Sequence, residues 1–584
     1  MEKILIEASW EVANKVGGIY TVIKSKAPYI QKYFPEEYYL IGPYLPNVSY
    51  LEFSPLSIPE IFREPIKEAE ALGVKVYYGE WLINSRPKCF LIDYSNFLDK
   101  VNTLKYELWA NYRIDSLRTG DDYNHPIAWC KASSIFLKIL GEKLNAIPKI
   151  LHLHEWLSGA IVLFENLPYT TIFTTHATVL GRSISGTGVN LWEKLSFMNP
   201  DEESYKYGVE AKHKIEKMAA NRVNFFTVIS NVLKTEAELI LGRRPDFILP
   251  NGIDIFKFST IEEITYLHRK NRDLIKDFLL YLFSPYYKVE LTKSLFFFIS
   301  GRMEIRNKGI DIFIRALSEL NKKLTEKDPN IFSFIFVPSE NLGPDPIILN
   351  NLNIYRHLEE TIEDLLPEIK SRLIHFLIHQ EPIKDETIFE RDEFLEIKQI
   401  IKQIRPANTP PISTHLLKEN NEILVLLKTL NLTNKFEDKV KVIYYPTYLR
   451  TGDGFLNLPY EDVISGCHLG VFPSLYEPWG YTPLETALSG VITITSDVTG
   501  FSDYLKSIAE FNKDFPGIYF VYRKGKRDAE VVEELANLML SIARLSRSAR
   551  IQNKLEARRL ASLCSWDNLI KNYLDLYYAA FQRK

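Results

Sequence analysis

LGVFPSLYEPWGYTPLE, residues 469–485, is the stretch whose reading decides the fold. Leu469, Gly470, Val471 and Phe472 form a short apolar run that stops at Pro473. A loop then carries Glu477, Trp479, Gly480, Tyr481 and Thr482, and a helical pattern starts at Pro483, a residue type favoured in a first helical turn. The spacing predicts a buried strand that feeds a glycine-containing loop into a helix N-terminus. Free backbone N–H groups and the helix dipole favour a phosphate there. Glu477 and Glu485 flank that pocket, where carboxylates can hold sugar and ribose hydroxyls. The competing account is a plain strand–loop–helix connection whose glutamates suit the helix dipole.

Outward from this segment, strand-like runs alternate with helical patterns. The first series is KILIEA (3–8), LIGPY (40–44), KCFLIDY (88–94), KILHLHE (149–155), TTIFTTH (170–176) and NFFTVIS (224–230). The second is LFFFIS (295–300), IFSFIFVP (331–338), VKVIYYP (440–446), LGVFPS (469–474) and VITITS (491–496). Such alternation predicts parallel sheets covered by helices. The expected fold class is α/β, with two doubly wound Rossmann-like domains, residues 1–270 and 271–560, facing a cleft. The change-over falls near 255–290. A charged, helix-like stretch at about 345–430, broken by RPANTPP (405–411), interrupts the second series. It reads either as a subunit-contact insertion or as a solvated helical cap. The aromatic-rich SWDNLIKNYLDLYYAAF (565–581) is expected to cross back onto the first domain within a terminal segment 561–584.

The chain has 584 residues, 46% hydrophobic and 25% charged, which suits a globular protein of at least two domains. A formal net charge of −3 gives no global basic field to recommend a nucleic-acid partner. Cys89, Cys130, Cys467 and Cys564 are scattered without metal-ligand spacing and read as buried thiols of a reducing compartment. No uninterrupted apolar stretch reaches the roughly 20 residues that span a membrane, and the first apolar run is too short for a signal peptide. A cytoplasmic location without a membrane partner is the expectation.

In open parallel sheets, ligands bind outside the carboxyl ends of the strands. Arg302 and Lys308 follow LFFFIS and precede an amphipathic helix, so they are either solvated turn cations or a cradle for a departing phosphate. Lys15, Gly17 and Gly18 lie between the first strand and the first helix, where glycine admits a phosphate or sugar close to backbone, or simply makes a tight turn. His152 and His154 alternate onto one strand face, but no third or fourth ligand is evident, so no metal site is expected. Arg544, Arg547, Lys554 and Arg558 follow a spacing of three, seven and four, one helical stripe that reads as a solvated face or an anion sensor.

EVANKVGGIYTVIKSKA near the N-terminus, HLHEWLSGA (152–160), TTHATVLGR (174–182), PNGID (250–254), GRMEIRNKG (301–309), PPISTH (410–415) and the opening segment together resemble the glycogen synthases of the animal and fungal type. These are retaining glycosyltransferases with two Rossmann-like domains, the GT-B architecture. The resemblance runs in one order over essentially the whole chain, weakest near 260–290 and 340–400. It implies that Arg302 and Lys308 bind the donor phosphates, that His176 contacts the transferred glucose and that Arg182 is a further active-site cation. Glu477 would orient the donor sugar, Tyr460 would stack on the base and Glu485 would hold the ribose. Gly480, Tyr481 and Thr482, with Trp479 beside them, would meet the diphosphate through backbone amides, together with Lys15, Gly17 and Gly18. It also implies that the basic stripe senses a sugar phosphate and that the insertion makes a homo-oligomer.

The expected reaction moves glucose from UDP-glucose to the 4-hydroxyl at the non-reducing end of glycogen or another α-1,4-glucan, with retention of configuration and without metal or pyridoxal phosphate. Rival readings are an ADP-glucose-dependent or other transferase of the same fold, an α-glucan phosphorylase carrying pyridoxal phosphate, and a glycan-binding scaffold without turnover.

Overall fold

The computed structural model describes residues 2–380, 382–383, 388–404 and 409–583. Residues 405–408 of the expected Pro-rich break therefore lie outside the described residues. The strands of the first sheet are β1 (Ile4–Ala8), β2 (Tyr38–Pro43), β3 (Phe53–Pro55), β4 (Lys75–Trp81), β5 (Lys88–Asp93), β6 (Lys149–His154), β7 (Thr170–Thr175), β8 (Phe225–Val228) and β9 (Phe247–Ile248). The second sheet holds β10 (Leu295–Ser300), β11 (Ile331–Phe336), β12 (Val440–Tyr445), β13 (Leu469–Phe472), β14 (Ile492–Ser496) and β15 (Ile518–Val521). Every residue of β1, β10, β11 and β13 is buried, as strands covered by helices on both faces require.

The first sheet runs β3-β4-β5-β2-β1-β6-β7-β8-β9 and the second β12-β11-β10-β13-β14-β15. All pairings are parallel except those of the β3–β4–β5 edge. Each sheet thus winds outward in both directions from one central pair, β1/β6 in the first and β10/β13 in the second. The crevice at the carboxyl ends of such a pair is where ligands seat in doubly wound sheets.

Four strands were not expected from sequence: β3 and β4, which make an antiparallel edge, and the short outer strands β9 and β15. The boundary expected at residue 270 falls inside the helix Ile261–Phe283. That helix starts at a Thr260–Glu263 capping box and packs along Tyr460–Gly466 of the second unit. The insertion is also narrower than expected. Helices Pro346–Ile378 and Arg391–Ile401 are tied by Arg372, which reaches Glu393 at 2.8 and 2.9 Å, whereas Ile423 and Leu427 of the helix Glu422–Thr429 are buried in the second core. The last helix, Trp566–Gln582, crosses back onto the first sheet, where Trp566 Nε1 donates to Ser25 Oγ at 2.8 Å. Among the described residues no helix is long and apolar enough to cross a membrane.

Candidate active site

The second-unit wall forms where β10 and β13 end side by side. Gly309 adopts φ +67°, and a Cβ there would lie 2.1 Å from the carbonyl oxygen of Pro473. This close approach, open only to glycine, lays the loop after β10 against the loop after β13. The backbone N–H of Leu475 then donates to the carbonyl of Asn307 at 2.9 Å, and Lys308 Nζ pairs with Glu477. Arg302, with a side chain 58% exposed, pairs with Glu304 at 2.9 Å. Burial works against the Glu304 charge, but Arg302, Lys308 and Arg182 surround the carboxylate and hold it below its usual range. Arg182 comes from the opposite sheet and faces Tyr476, Glu155, Glu304 and Glu477. The structure therefore brings Arg182, Arg302, Lys308 and Glu477 to one place, with Glu304 as a balancing carboxylate that the sequence reading missed.

Beside this cluster, the helix Tyr481–Leu488 begins two residues earlier than expected. It starts at Gly480 (φ +117°) with no side chain capping its first amides, a local geometry suited to an anion. Thr482 sits in its partly exposed first turn. Tyr460 opens its own helix with its hydroxyl 2.8 Å from Ser300 Oγ at the end of β10. Burial, reinforced by the Glu461 charge, pushes the Glu485 carboxyl up to about 8. Trp479 is a correction: it is 2% exposed and packs against Tyr504 at 5.9 Å, so it is core rather than pocket wall. The Tyr481 side chain points to the first unit, its hydroxyl donating to the carbonyl of Gly252 at 3.1 Å, while its backbone N–H stays at the uncapped helix start.

The first-unit wall is the segment after β7, Thr175 to Arg182. His176 follows β7, with β8 and β9 beyond it in the sheet. Three glutamates fix the segment, Glu155 half-buried and Glu216 and Glu236 fully buried. Glu155, at φ +66° just after β6, accepts from the N–H groups of His176 and Ala177 at 2.9 and 3.1 Å. Glu216 accepts from the Thr175 hydroxyl and from the Val179 N–H at 3.0 Å, and Glu236 accepts from the Thr178 hydroxyl. Burial raises all three carboxyls, Glu236 to about 7. Tyr476, next to Glu477, donates to Glu236 Oε1 at 2.8 Å and so joins the two units across the cleft. Sequence reasoning missed Glu216 and Glu236. Their only signal is a glutamate on the apolar stripe of a helix, beside Ile215 and Ala219 in one case and Leu233, Ala237 and Ile240 in the other.

The first helix, Gly18–Gln31, departs from expectation. Its N-terminus is already occupied by Glu11, whose Oε2 accepts from Gly17 N–H and Tyr20 N–H at 2.8 Å each. Gly18 is open, and Lys15 is exposed without an ion pair among the described residues. The third ligand judged missing beside His152 and His154 is also present, since Glu7 lies within 4.8 Å of both. Lys26 Nζ, however, sits 2.7 Å from Glu7 Oε1, so a divalent cation entering there would meet a buried ammonium.

The basic stripe divides. Arg544 lies outside the helix Arg547–Ser562 and binds Asp328 through two bonds of 2.9 Å, and Arg558 donates to the Leu488 carbonyl at 2.9 Å. Lys554 turns inward onto His268, beside Arg272, Arg550 and His468. Burial together with Arg272 and Arg550 pulls the Lys554 ammonium well below its usual value. Lys554, Arg272 and Arg550 have no acidic ion-pair partner among the described residues.

Two doubly wound sheets with facing switch points, bearing phosphate-type cations on both walls, define a glycosyltransferase of GT-B architecture. The catalytic domain of starch synthase IV from Arabidopsis thaliana shares the fold, with a TM-score of 0.53 over 100% of both chains at 13% identity. The chain belongs to the glycogen synthase family, whose model, described as glycogen synthase, matches residues 7–584. It is 34% identical over 591 residues to glycogen [starch] synthase of Dictyostelium discoideum, covering 99% of this chain and 67% of the relative. It is also 34% identical over 612 residues to glycogen [starch] synthase isoform 2 of Saccharomyces cerevisiae, with 99% and 86% covered.

Proposed function

We propose that the chain transfers glucose from UDP-glucose to the non-reducing 4-hydroxyl of an α-1,4-glucan, with retention of configuration. The observation that carries this reading is the convergence of Arg182, from the segment after β7, and Arg302 and Lys308, from the loop after β10, on Glu304 and Glu477. Negative charge grows on the leaving diphosphate as the glycosidic bond breaks, and fixed cations at that position lower the barrier. Binding would exchange carboxylate partners for phosphate oxygens at Arg302 and Lys308. With these cations gathered on the leaving group, a front-side route through an oxocarbenium-like ion pair suits the site. The leaving phosphate then takes the proton of the acceptor hydroxyl, and Glu477 stabilises positive charge on the sugar. The Tyr476–Glu236 bond holds the cleft closed against water during that step. Neither a metal nor pyridoxal phosphate enters this scheme.

The deciding experiment supplies glycogen with UDP-glucose or ADP-glucose and measures nucleotide release together with glucan growth. Growth in step with release, faster with UDP-glucose, is expected. Release without growth points to another acceptor, and absence of both supports the glycan-binding scaffold.

Two further expectations belong to this reading. Lys554, Arg272 and Arg550, unpaired and desolvated around His268, favour an anionic activator such as glucose 6-phosphate. That idea fails if saturating activator leaves rate and donor KM unchanged. Exposed Leu377, Ile378, Phe394 and Leu395 on the inserted helices favour a homo-oligomer, which sedimentation velocity measures directly. Four unpaired buried thiols suit the reducing cytoplasm.

A further inference from the structure

His152, His154 and His176 form a buried row beneath the cleft, with ring centroids 4.2 Å apart for the first two and 5.4 Å for the second two. Of the three, the family resemblance gives only His176 a contact with the transferred glucose. The other two belong to a hydrogen-bonded network whose proton positions follow by elimination.

Glu7, on β1, is the fixed point. Lys26 Nζ and the Tyr577 hydroxyl donate to its Oε1 at 2.7 and 2.5 Å, and the Tyr38 hydroxyl donates to its Oε2 at 3.0 Å. Three donors leave this carboxylate acceptor-only. Burial opposes its charge, yet Lys26 and the neighbouring histidines hold it ionised, well below the usual range.

His154 Nε2 lies 3.8 Å from Glu7 Oε2 and has no other partner. A bare nitrogen lone pair facing a buried anion is repulsive, so the proton of neutral His154 sits on Nε2. Its Nδ1 is then an acceptor. His176 Nε2, 3.1 Å away, must be the donor. Burial keeps His176 neutral, so its Nδ1 carries a lone pair and has no protein hydrogen-bond partner among the described residues.

A second branch ends on the last helix. Because Tyr577 gives its proton to Glu7, it accepts from His152 Nδ1 at 2.9 Å, and His152 Nε2 accepts from the Thr174 hydroxyl at 2.6 Å.

We propose that Glu7 and His154 are positioning residues, which act through the row Glu7–His154–His176 to fix His176 with its proton on Nε2. The bare Nδ1 is then an acceptor ready for a hydroxyl of the transferred sugar. This rests on the reading that His176 lines the donor site. The function of the row is to select one of two tautomers before the sugar arrives, so that no reorganisation is left for the reaction.

The test compares His154→Asn, His154→Leu and His176→Ala in donor kinetics. The Asn side-chain oxygen stands where the imidazole Nδ1 accepts, whereas Leu offers nothing. His154→Leu is expected to lower kcat/KM by about tenfold to a hundredfold, on the scale of lost orienting partners, and His154→Asn to recover most of it. Nitrogen NMR of histidine-labelled parent protein should show His176 as the Nε2–H tautomer, a readout that holds even where a variant fails to fold. Equal losses in the Asn and Leu variants, an unperturbed Leu variant, or an Nδ1–H tautomer at His176 each overturn the proposal. If His176→Ala itself keeps full turnover, the donor-site reading has failed instead.

Discussion

Tyr476→Phe removes a single hydroxyl that bonds the Glu477 loop to a buried carboxyl of the first unit. The ring is 6% exposed and would stay packed, because phenylalanine keeps every carbon. What is lost is a 2.8 Å bond to Glu236 Oε1, an oxygen that then has only the Thr178 hydroxyl. A hydrogen bond to a buried neutral group is worth about 1 kcal/mol and one to a charged group about 1.5–3 kcal/mol. With its carboxyl near 7, Glu236 lies between these limits at neutral pH, so about 1–2 kcal/mol is the working figure. That corresponds to roughly a 5- to 30-fold shift against the closed cleft. The assay is a double-mutant cycle of Tyr476→Phe and Glu236→Gln on donor kcat/KM, which isolates the pair from the separate effect on Thr178. A coupling energy of about 1 kcal/mol or more is expected. Additive single effects, with coupling below about 0.5 kcal/mol, would refute the idea that this bond closes the cleft.

Three other perturbations follow from the same geometry. Arg302→Ala should lower kcat by about a hundredfold or more, the scale of losing a charge-stabilising donor, and near-normal turnover would remove Arg302 from the chemistry. Gly309→Ala forces a left-handed φ on alanine and a Cβ into Pro473, so it should cost on the order of 2 kcal/mol or more and displace Lys308. A fall in both melting temperature and kcat/KM is the expected result. The raised carboxyls of Glu236 and Glu485 keep protons in the folded state that the unfolded chain has already released above about pH 5. Their contribution is present at low pH and is lost as pH rises through about 7 and 8, so ligand-free stability should fall from pH 6 to pH 9. Glu485→Gln should flatten the upper part of that fall in thermal melts.

The parallel core strands were legible because each is a short apolar run with a functional loop after it; β10 was read at its observed bounds, 295–300. The edge strands β3 and β4 were not, since KVYYGEW (75–81) mixes charge with aromatics and is held by antiparallel pairing with β5 on one side and β3 on the other. In the site, Arg302, Lys308 and Glu477 were readable as loop residues at strand ends. Trp479 was misplaced because its loop position beside Gly480 carries no sign of its packing on Tyr504. Lys554 and His268 meet although they are 286 positions apart, a proximity that no local spacing encodes.

Tyr577 and Glu7 meet across 570 positions of chain. A ribosome adding about 5–20 residues per second needs roughly half a minute to two minutes to span that distance. The first sheet is complete once β9 has been made, and from then on it exists without the helix that completes the buried network behind His176. A nascent chain therefore carries the strand of Glu7 with its Lys26, Tyr38 and histidine neighbours but without its last hydroxyl donor. Competence for transfer should appear only after the helix Trp566–Gln582 has left the exit tunnel, which keeps shorter nascent chains from consuming donor.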